Sequence, residues 1–312
     1  MGPRTRKDQE VRNVTGIEHS GRACNGDTEL YFSASGDSAN PAILFVNGLG
    51  SQLINFLPGW VTKFSEAGFY VIRMDNRDVG MSTKTLGDVP DLQDLIDRWF
   101  KDRTASGFIG AYDLADMALD CVAVLDALEI DRAHVWGMSM GGMIAQTLAI
   151  NHAERLLSMT SVMSTTGDPG VGRSTPESAA QLVAAGNDRA SIIKSAVAAR
   201  RLHSGSLYQE SWARSLEEAA YDRCYHPQGK TWQLLAILAS GSRADQLPEV
   251  AIPSMIIHGR LDSLVHLDGG EATAALIPDA DLVIHDQMGH DIPEPLWNEY
   301  LADFQRLVDR AK

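Results

Sequence analysis

Ala133-His134-Val135-Trp136-Gly137-Met138-Ser139-Met140-Gly141-Gly142 is the stretch on which the reading of the whole chain turns. Residues 133–136 read as a strand and residues 140–150 as a helix, with Gly-x-Ser-x-Gly between them. With glycine at 27 of 312 positions, composition alone supplies roughly 0.2 such patterns in a chain of this length, so the bare pattern is weak. Its setting of strand, sharp turn and helix makes it specific. A side chain on either flank of the serine would collide with the crossing strand or helix, so glycine is needed on both sides, and the turn thrusts Oγ into a cleft. Gly142 lets the helix start lie close to the sheet, which brings backbone N–H groups and positive dipole density near the serine. Other Gly-x-Ser triplets, at Gly36, Gly80 and Gly172, lack the second glycine.

Outward from this turn, apolar runs at 42–46, 70–74, 133–136 and 254–258 read as buried parallel strands. Within 112–130, Leu114, Met117, Ala118, Cys121, Val122, Leu125 and Leu128 recur at spacings of three and four, which predicts one face of a helix. Alternation of strand and helix predicts right-handed crossovers, a mostly parallel sheet flanked by helices, and a ligand site beyond the carboxyl ends of the strands. The pattern breaks between Ser164 and Pro248, where Ala-rich helical text with Trp212, Tyr221, Tyr225 and Trp232 takes over. The expected division is therefore an N-terminal tail over 1–25, a core over 26–163, a helical cap over 164–248 and the rest of the core over 249–312. Residues 86–110 carry Trp99, Phe100 and Phe108 among charges and read either as a wall of the site or as a surface helix.

Composition limits the function classes. A chain of 312 residues with 44% hydrophobic content can bury one sizeable core with an embellishment. Lys and Arg number 27 against 41 Asp and Glu, a net charge of −14 that repels phosphate backbones and anionic lipid, so neither nucleic acid nor membrane is expected as a partner. The start, MGPRTRKDQEVRN, is basic and polar with no apolar stretch behind it, which predicts a tail and neither a secretory signal nor a span. Cys24, Cys121 and Cys224 are scattered, with no CxxC or HxxxH, so no disulfide framework and no metal site is expected, and a reducing cytoplasm fits.

A lone serine needs a base within hydrogen-bond reach, itself oriented by a third group. For an elbow of this kind the chain order is Ser, then Asp or Glu, then His. Of the histidines beyond the helical text, His258 and His285 lie in or at the end of strands and read as structural. His290 follows Met288-Gly289 on a loop after the 282–284 strand and is the expected base. Asp262, just past the 255–257 strand, is the expected orienting acid. Asp268 reads as the cap of the helix through Glu271 to Leu276, and Asp291 adjoins the base in sequence, where neighbours rarely face each other. For the oxyanion, Asn47-Gly48-Leu49-Gly50 gives a glycine-rich turn at the right end of the sheet, so the expected donors are the backbone N–H groups of Leu49 and Met140.

These residues, with Asp75-Asn76-Arg77-Asp78-Val79-Gly80-Met81-Ser82 after the 70–74 strand, resemble the α/β-hydrolase family over nearly the whole chain. Within it, the text around Gly137 to Gly142 and Asp75 to Ser82 is similar to the carboxylesterase branch that includes aclacinomycin methylesterase. Where relatives usually carry His-Gly in the oxyanion turn, this chain has Asn47-Gly48. The resemblance implies that Arg77 and Asp78 brace the site, and a serine nucleophile points away from the branches that use aspartate there. It implies a cofactor-free, metal-free serine hydrolase acting on a small-molecule carboxylic ester, and leaves a homo-oligomer open. The same triad would serve a thioesterase, a lactonase or a C–C bond hydrolase, or, on peroxide, a perhydrolase or haloperoxidase. A non-catalytic binding module is the reading from a different class.

Overall fold

The computed structural model describes residues 8–13, 16–101, 110–183 and 186–311. It corrects the expected tail over 1–25: Asp8–Asn13 (β1) and Gly16–Asn25 (β2) are strands, and β2 pairs antiparallel with Thr28–Ser35 (β3), from Glu18 opposite Ser35 to Asn25 opposite Thr28. Gly26, at φ 57, supplies the left-handed conformation that a two-residue hairpin turn needs at its first position. The local signal is Asn25-Gly26, and the polar letters of β2 mask it because the strand has one wet face, with Ala23 buried and Cys24 exposed.

The remaining strands are Ala42–Val46 (β4), Tyr70–Met74 (β5), Ala133–Met138 (β6), Leu156–Val162 (β7), Ser254–Gly259 (β8) and Asp281–His285 (β9). They form one sheet in the order β1-β2-β3-β5-β4-β6-β7-β8-β9, antiparallel from β1 through β3 to β5 and parallel from there on. β4, β5, β6 and β8 are buried along their whole length, which is why each reads as a continuous apolar run. β7 does not, because Ser158, Thr160 and Ser161 interrupt it. Two of these polar groups are satisfied inside the fold: Ser158 Oγ lies 2.7 Å from His134 Nδ1, and Gln146 Nε2 donates to Ser161 Oγ at 3.1 Å.

Strand alternation divides the interior into two cores. From β4, Leu44 and Val46 face a layer built on Leu114–Ala127 and Met140–Asn151, while Ile43 and Phe45 face an aromatic layer of Trp60, Phe64, Trp136, Tyr300 and Phe304. Phe45 packs against Phe56 and Phe64 with ring centroids 4.9 and 5.1 Å apart, and losing such a ring costs about 3–5 kcal/mol.

The helices are Pro58–Glu66 (α1), Leu92–Lys101 (α2), Leu114–Ala127 (α3), Met140–Asn151 (α4), Pro176–Val183 (α5), Arg189–His203 (α6), Glu210–Arg223 (α7), Pro227–Ser240 (α8), Asp268–Leu276 (α9) and Trp297–Arg310 (α10). Helices α5 to α8 all stand between β7 and β8. In α3, Asp113 caps the start by accepting from Ala115 N and Asp116 N, and the side chain of Asp116 accepts the N–H of Asp113 in return. Leu95 and Ile96 anchor α2 in the interior, whereas Phe108 and the side chains of Trp99 and Phe100 lie outside the described residues. Among the described residues, no helix is long and apolar enough to cross a membrane.

Candidate active site

β6 ends at Met138 and α4 begins at Met140, so Ser139 makes the whole turn. It does so at φ 55 and ψ −118, a conformation that costs a serine about 1–3 kcal/mol and persists only where its surroundings enforce it. Three glycines are the enforcement. A Cβ on Gly137 would stand 2.0 Å from Gly141 O, one on Gly141 2.1 Å from Val46 O, and one on Gly142 2.6 Å from Ser164 Cβ. The backbone of Ser139 is tied on both sides, its N–H donating to Val162 O at 2.8 Å and its carbonyl accepting from Ser164 Oγ at 2.8 Å. Serine is a favoured helix N-cap, yet here the side chain makes no capping bond, so Oγ is left to the cleft.

Asp262 follows β8 in a tight turn. Its Oδ1 accepts from Leu264 N at 2.9 Å and Val265 N at 2.8 Å, and its Oδ2 lies 2.7 Å from His290 Nδ1. Burial works against ionisation of this carboxyl, but the charge of His290 and hydrogen bonds from His258 and His290 outweigh it and hold the group down at about 2. His258, expected to be structural, sits within 3.5 Å of the same Oδ2 and 2.8 Å from Val265 O, so it backs the aspartate. His285 lies against Glu299 and Asp303, away from this cluster.

His290 is held by its backbone as well as its ring: its N–H donates to His203 O, at the end of α6, at 2.7 Å. The same seam carries Ser206 N donating to Gln287 O at 3.0 Å, and it admits no side chain, since a Cβ on Gly205 would meet Gln287 O at 2.0 Å. Burial and the neighbouring His290 push the His203 imidazole down to about 4. Asp291 does not serve the base. Its Oδ1 accepts from Gly289 N at 3.2 Å, and burial raises its carboxyl above the ordinary value. Asp268 corrects the expectation of a helix cap: Leu267 occupies the cap position, and Asp268 Oδ1 accepts instead from Gly172 N at 2.8 Å.

The Asn47 to Gly50 turn leans on the serine, with a Cβ on Gly48 standing 3.1 Å from Ser139 Cβ. It is held from behind by Asn76 Nδ2 donating to Asn47 O at 3.0 Å and by Gly50 N donating to Gln233 Oε1 at 2.8 Å. The Asn47 side chain is buried without a hydrogen-bond partner among the described residues, so the turn is held through its backbone by the side chains of Asn76 and Gln233. Met140 is the first residue of α4, and its N–H has no acceptor within the helix. Arg77 grips Asp120 in a two-pronged ion pair, both contacts 2.6 Å, and Asp78 accepts from Tyr112 Oη at 2.6 Å, which anchors the loop after β5.

A cavity of about 460 Å³ opens over these groups. Ser139, Met140, Gly48, Leu49 and His290 line it from the sheet side. Met163, Trp212, Tyr221 and Tyr225 line it as well, whereas Trp232 is buried and does not reach it. Among the polar groups on its wall, His203, Arg200 and Lys230 carry no signal in the sequence, because nothing local distinguishes a helical histidine, arginine or lysine that faces a cavity from one that faces water.

Residues 41–294 match the model of the alpha/beta hydrolase fold family. The chain is 26% identical over 308 residues to rhodomycin D methylesterase DauP of a Streptomyces species, covering 86% of this chain and 93% of that protein. It is 24% identical over 245 residues to 3-oxoadipate enol-lactonase 2 of Acinetobacter baylyi, covering 78% and 80%. Among solved structures, the enol-lactonase of Burkholderia xenovorans superposes with a TM-score of 0.70 at 20% identity, over 92% of this chain and 99% of that one, a likeness of fold. The protein is a member of the alpha/beta hydrolase fold family and an enzyme of that hydrolase class.

Proposed function

We propose that the protein is a serine hydrolase that cleaves a carboxylic ester through an acyl-enzyme on Ser139, with His290 as general base and Asp262 as the acid that orients it. The observation that carries this reading is the 2.7 Å contact between His290 Nδ1 and Asp262 Oδ2, with His290 and Ser139 on the wall of one cavity. An ionised Asp262 can only accept, so Nδ1 carries the proton and Nε2 keeps the lone pair that a base needs.

In the first half-reaction Ser139 Oγ attacks the ester carbonyl and gives its proton to His290 Nε2. The tetrahedral oxyanion is met by the N–H groups of Leu49 and Met140, each such donor being worth about 3–4 kcal/mol at the transition state. Collapse breaks the C–O bond, and His290 returns the proton to the departing alcohol. Water then adds to the acyl-enzyme with the same imidazole as base, and the carboxylic acid leaves as Ser139 regains its proton. All of these steps draw on side chains, backbone and water alone.

A lactone is an ester closed on itself, and the similarity to an enol-lactonase makes lactone opening the second reading. A panel of methyl and aryl esters, lactones, thioesters and vinylogous diketones, run with Ser139→Ala as control, tests the proposal. Turnover of an oxygen ester that disappears in Ser139→Ala supports it. Turnover confined to the diketones, or surviving in Ser139→Ala, contradicts it.

A further inference from the structure

The cavity wall bears two cations with different surroundings. Arg200 is paired with Glu217 and donates to Asn55 Oδ1 at 3.0 Å, with its guanidinium 5.6 Å from the Trp212 ring, so its charge and donors are largely spoken for within the protein. Lys230 is not matched in this way. Its Nζ donates to Leu182 O at 2.5 Å, and among the described residues no carboxylate lies within ion-pair distance of it.

Lys230 is also close to the reacting centre. Its aliphatic stem runs beside the oxyanion turn, where a Cβ on Gly50 would lie 3.7 Å from Lys230 Cγ, and the side chain lines the same cavity as Ser139. Burial pushes its ammonium down to about 8, and the charge of Glu217 offsets this only in part. A half-buried cation without an ion-pair partner carries a desolvation cost that a ligand of opposite charge relieves. An ammonium has three donors, and with one on Leu182 O the others remain for a ligand. A carboxylate, ionised at neutral pH and able to accept from more than one N–H, suits these donors.

On these grounds we infer that Lys230 binds a carboxylate carried by the substrate in addition to the scissile ester, so that the preferred substrates are half-esters of dicarboxylic acids. The inference rests on the serine-hydrolase reading above. The lysine fixes which end of such a molecule enters the oxyanion turn, and an apolar wall that includes Trp212, Leu216 and Ile237 takes the chain between the two groups.

The test compares kcat/KM for methyl half-esters of succinic, glutaric, adipic and suberic acid with the corresponding methyl esters that carry a primary carboxamide in place of the carboxylate. The wild type is expected to favour the carboxylate by about tenfold or more at the best chain length. Lys230→Met, and Lys230→Gln, which can still donate to Leu182 O, are expected to lose that preference while turning over the carboxamide esters within about threefold of wild type. An unchanged ratio in both variants, or a wild-type preference for the carboxamide at every length, overturns the inference. Labelling of the wild type by a fluorophosphonate keeps the two readings apart: no adduct on folded protein sinks the hydrolase reading, and calorimetric titration with adipate then judges the lysine alone. Binding that Lys230→Gln abolishes supports the carboxylate site, and binding that it leaves unchanged contradicts it.

Discussion

The turn that carries Ser139 and the helices α5 to α8 face the same cavity but are built by opposite means. Around Ser139 the contacts are backbone against backbone, with glycines at 137 and 141 where a methyl group would land about 2 Å from a carbonyl oxygen. On α6 to α8 the cavity is met by long or aromatic side chains such as Arg200, Trp212, Tyr221 and Lys230. Close-packed backbone has one arrangement and tolerates no substitution, whereas side chains on a helix can be exchanged without moving it. On the proposed reading, the sheet end fixes the chemistry and the inserted helices govern the choice of substrate. A backbone seam joins the loop of His290 to the end of α6, where His203 O takes the N–H of His290.

The comparison breaks most severely if the sheet end is disturbed without touching packing. Asp262→Asn keeps the shape but favours the wrong tautomer of His290, and kcat is expected to fall by about 10³ to 10⁴ in a protein that still folds. Steady-state kinetics beside a circular-dichroism melt checks this, and near-wild-type turnover would assign the orienting role to another group. Next in size is the seam. Gly205→Ala places a methyl 2.0 Å from Gln287 O, so the loop bearing His290 must shift, and kcat is expected to fall by on the order of 10². If kcat holds and only KM moves, the seam belongs to substrate binding and the division drawn here is wrong.

The smallest effect is a pH dependence of the seam. His203 is pushed down to about 4 from its ordinary 6.5, so between those values the unfolded chain binds the proton more readily than the folded one. Stability then rises with pH across that window and is lost as pH falls from about 6.5 towards 4. His203→Gln is expected to flatten that slope in denaturant titrations at a series of pH values. An identical slope in the two proteins would mean that other groups, such as the buried His134, account for it.

Where the amino-acid sequence was legible, the constraint was local. The elbow needs a strand, a helix and glycines in adjacent positions, and all of these stand within ten residues. β4, β5 and β8 are buried on both faces and so spell continuous apolar runs. Asp262 and His290 each follow a strand on a short loop, and the fold brings their side chains to 2.7 Å across 28 residues of chain. Where it was not legible, the meaning of a residue came from a distant partner. β7 hides its burial because Ser158 and Ser161 are satisfied by His134 and Gln146. β2 reads as a polar tail because Arg22 and Cys24 face water while Ala23 between them is buried. His203 and Lys230 look like ordinary helical residues until α6 and α8 are laid over the cavity.

The central claim is that Oγ of Ser139 is an activated nucleophile, and intact mass after incubation with a fluorophosphonate tests it most directly, because it requires no knowledge of the substrate. A single adduct on the wild type, absent from Ser139→Ala, is the predicted result. An unmodified wild type that is demonstrably folded, or an adduct that persists in Ser139→Ala, would contradict the claim.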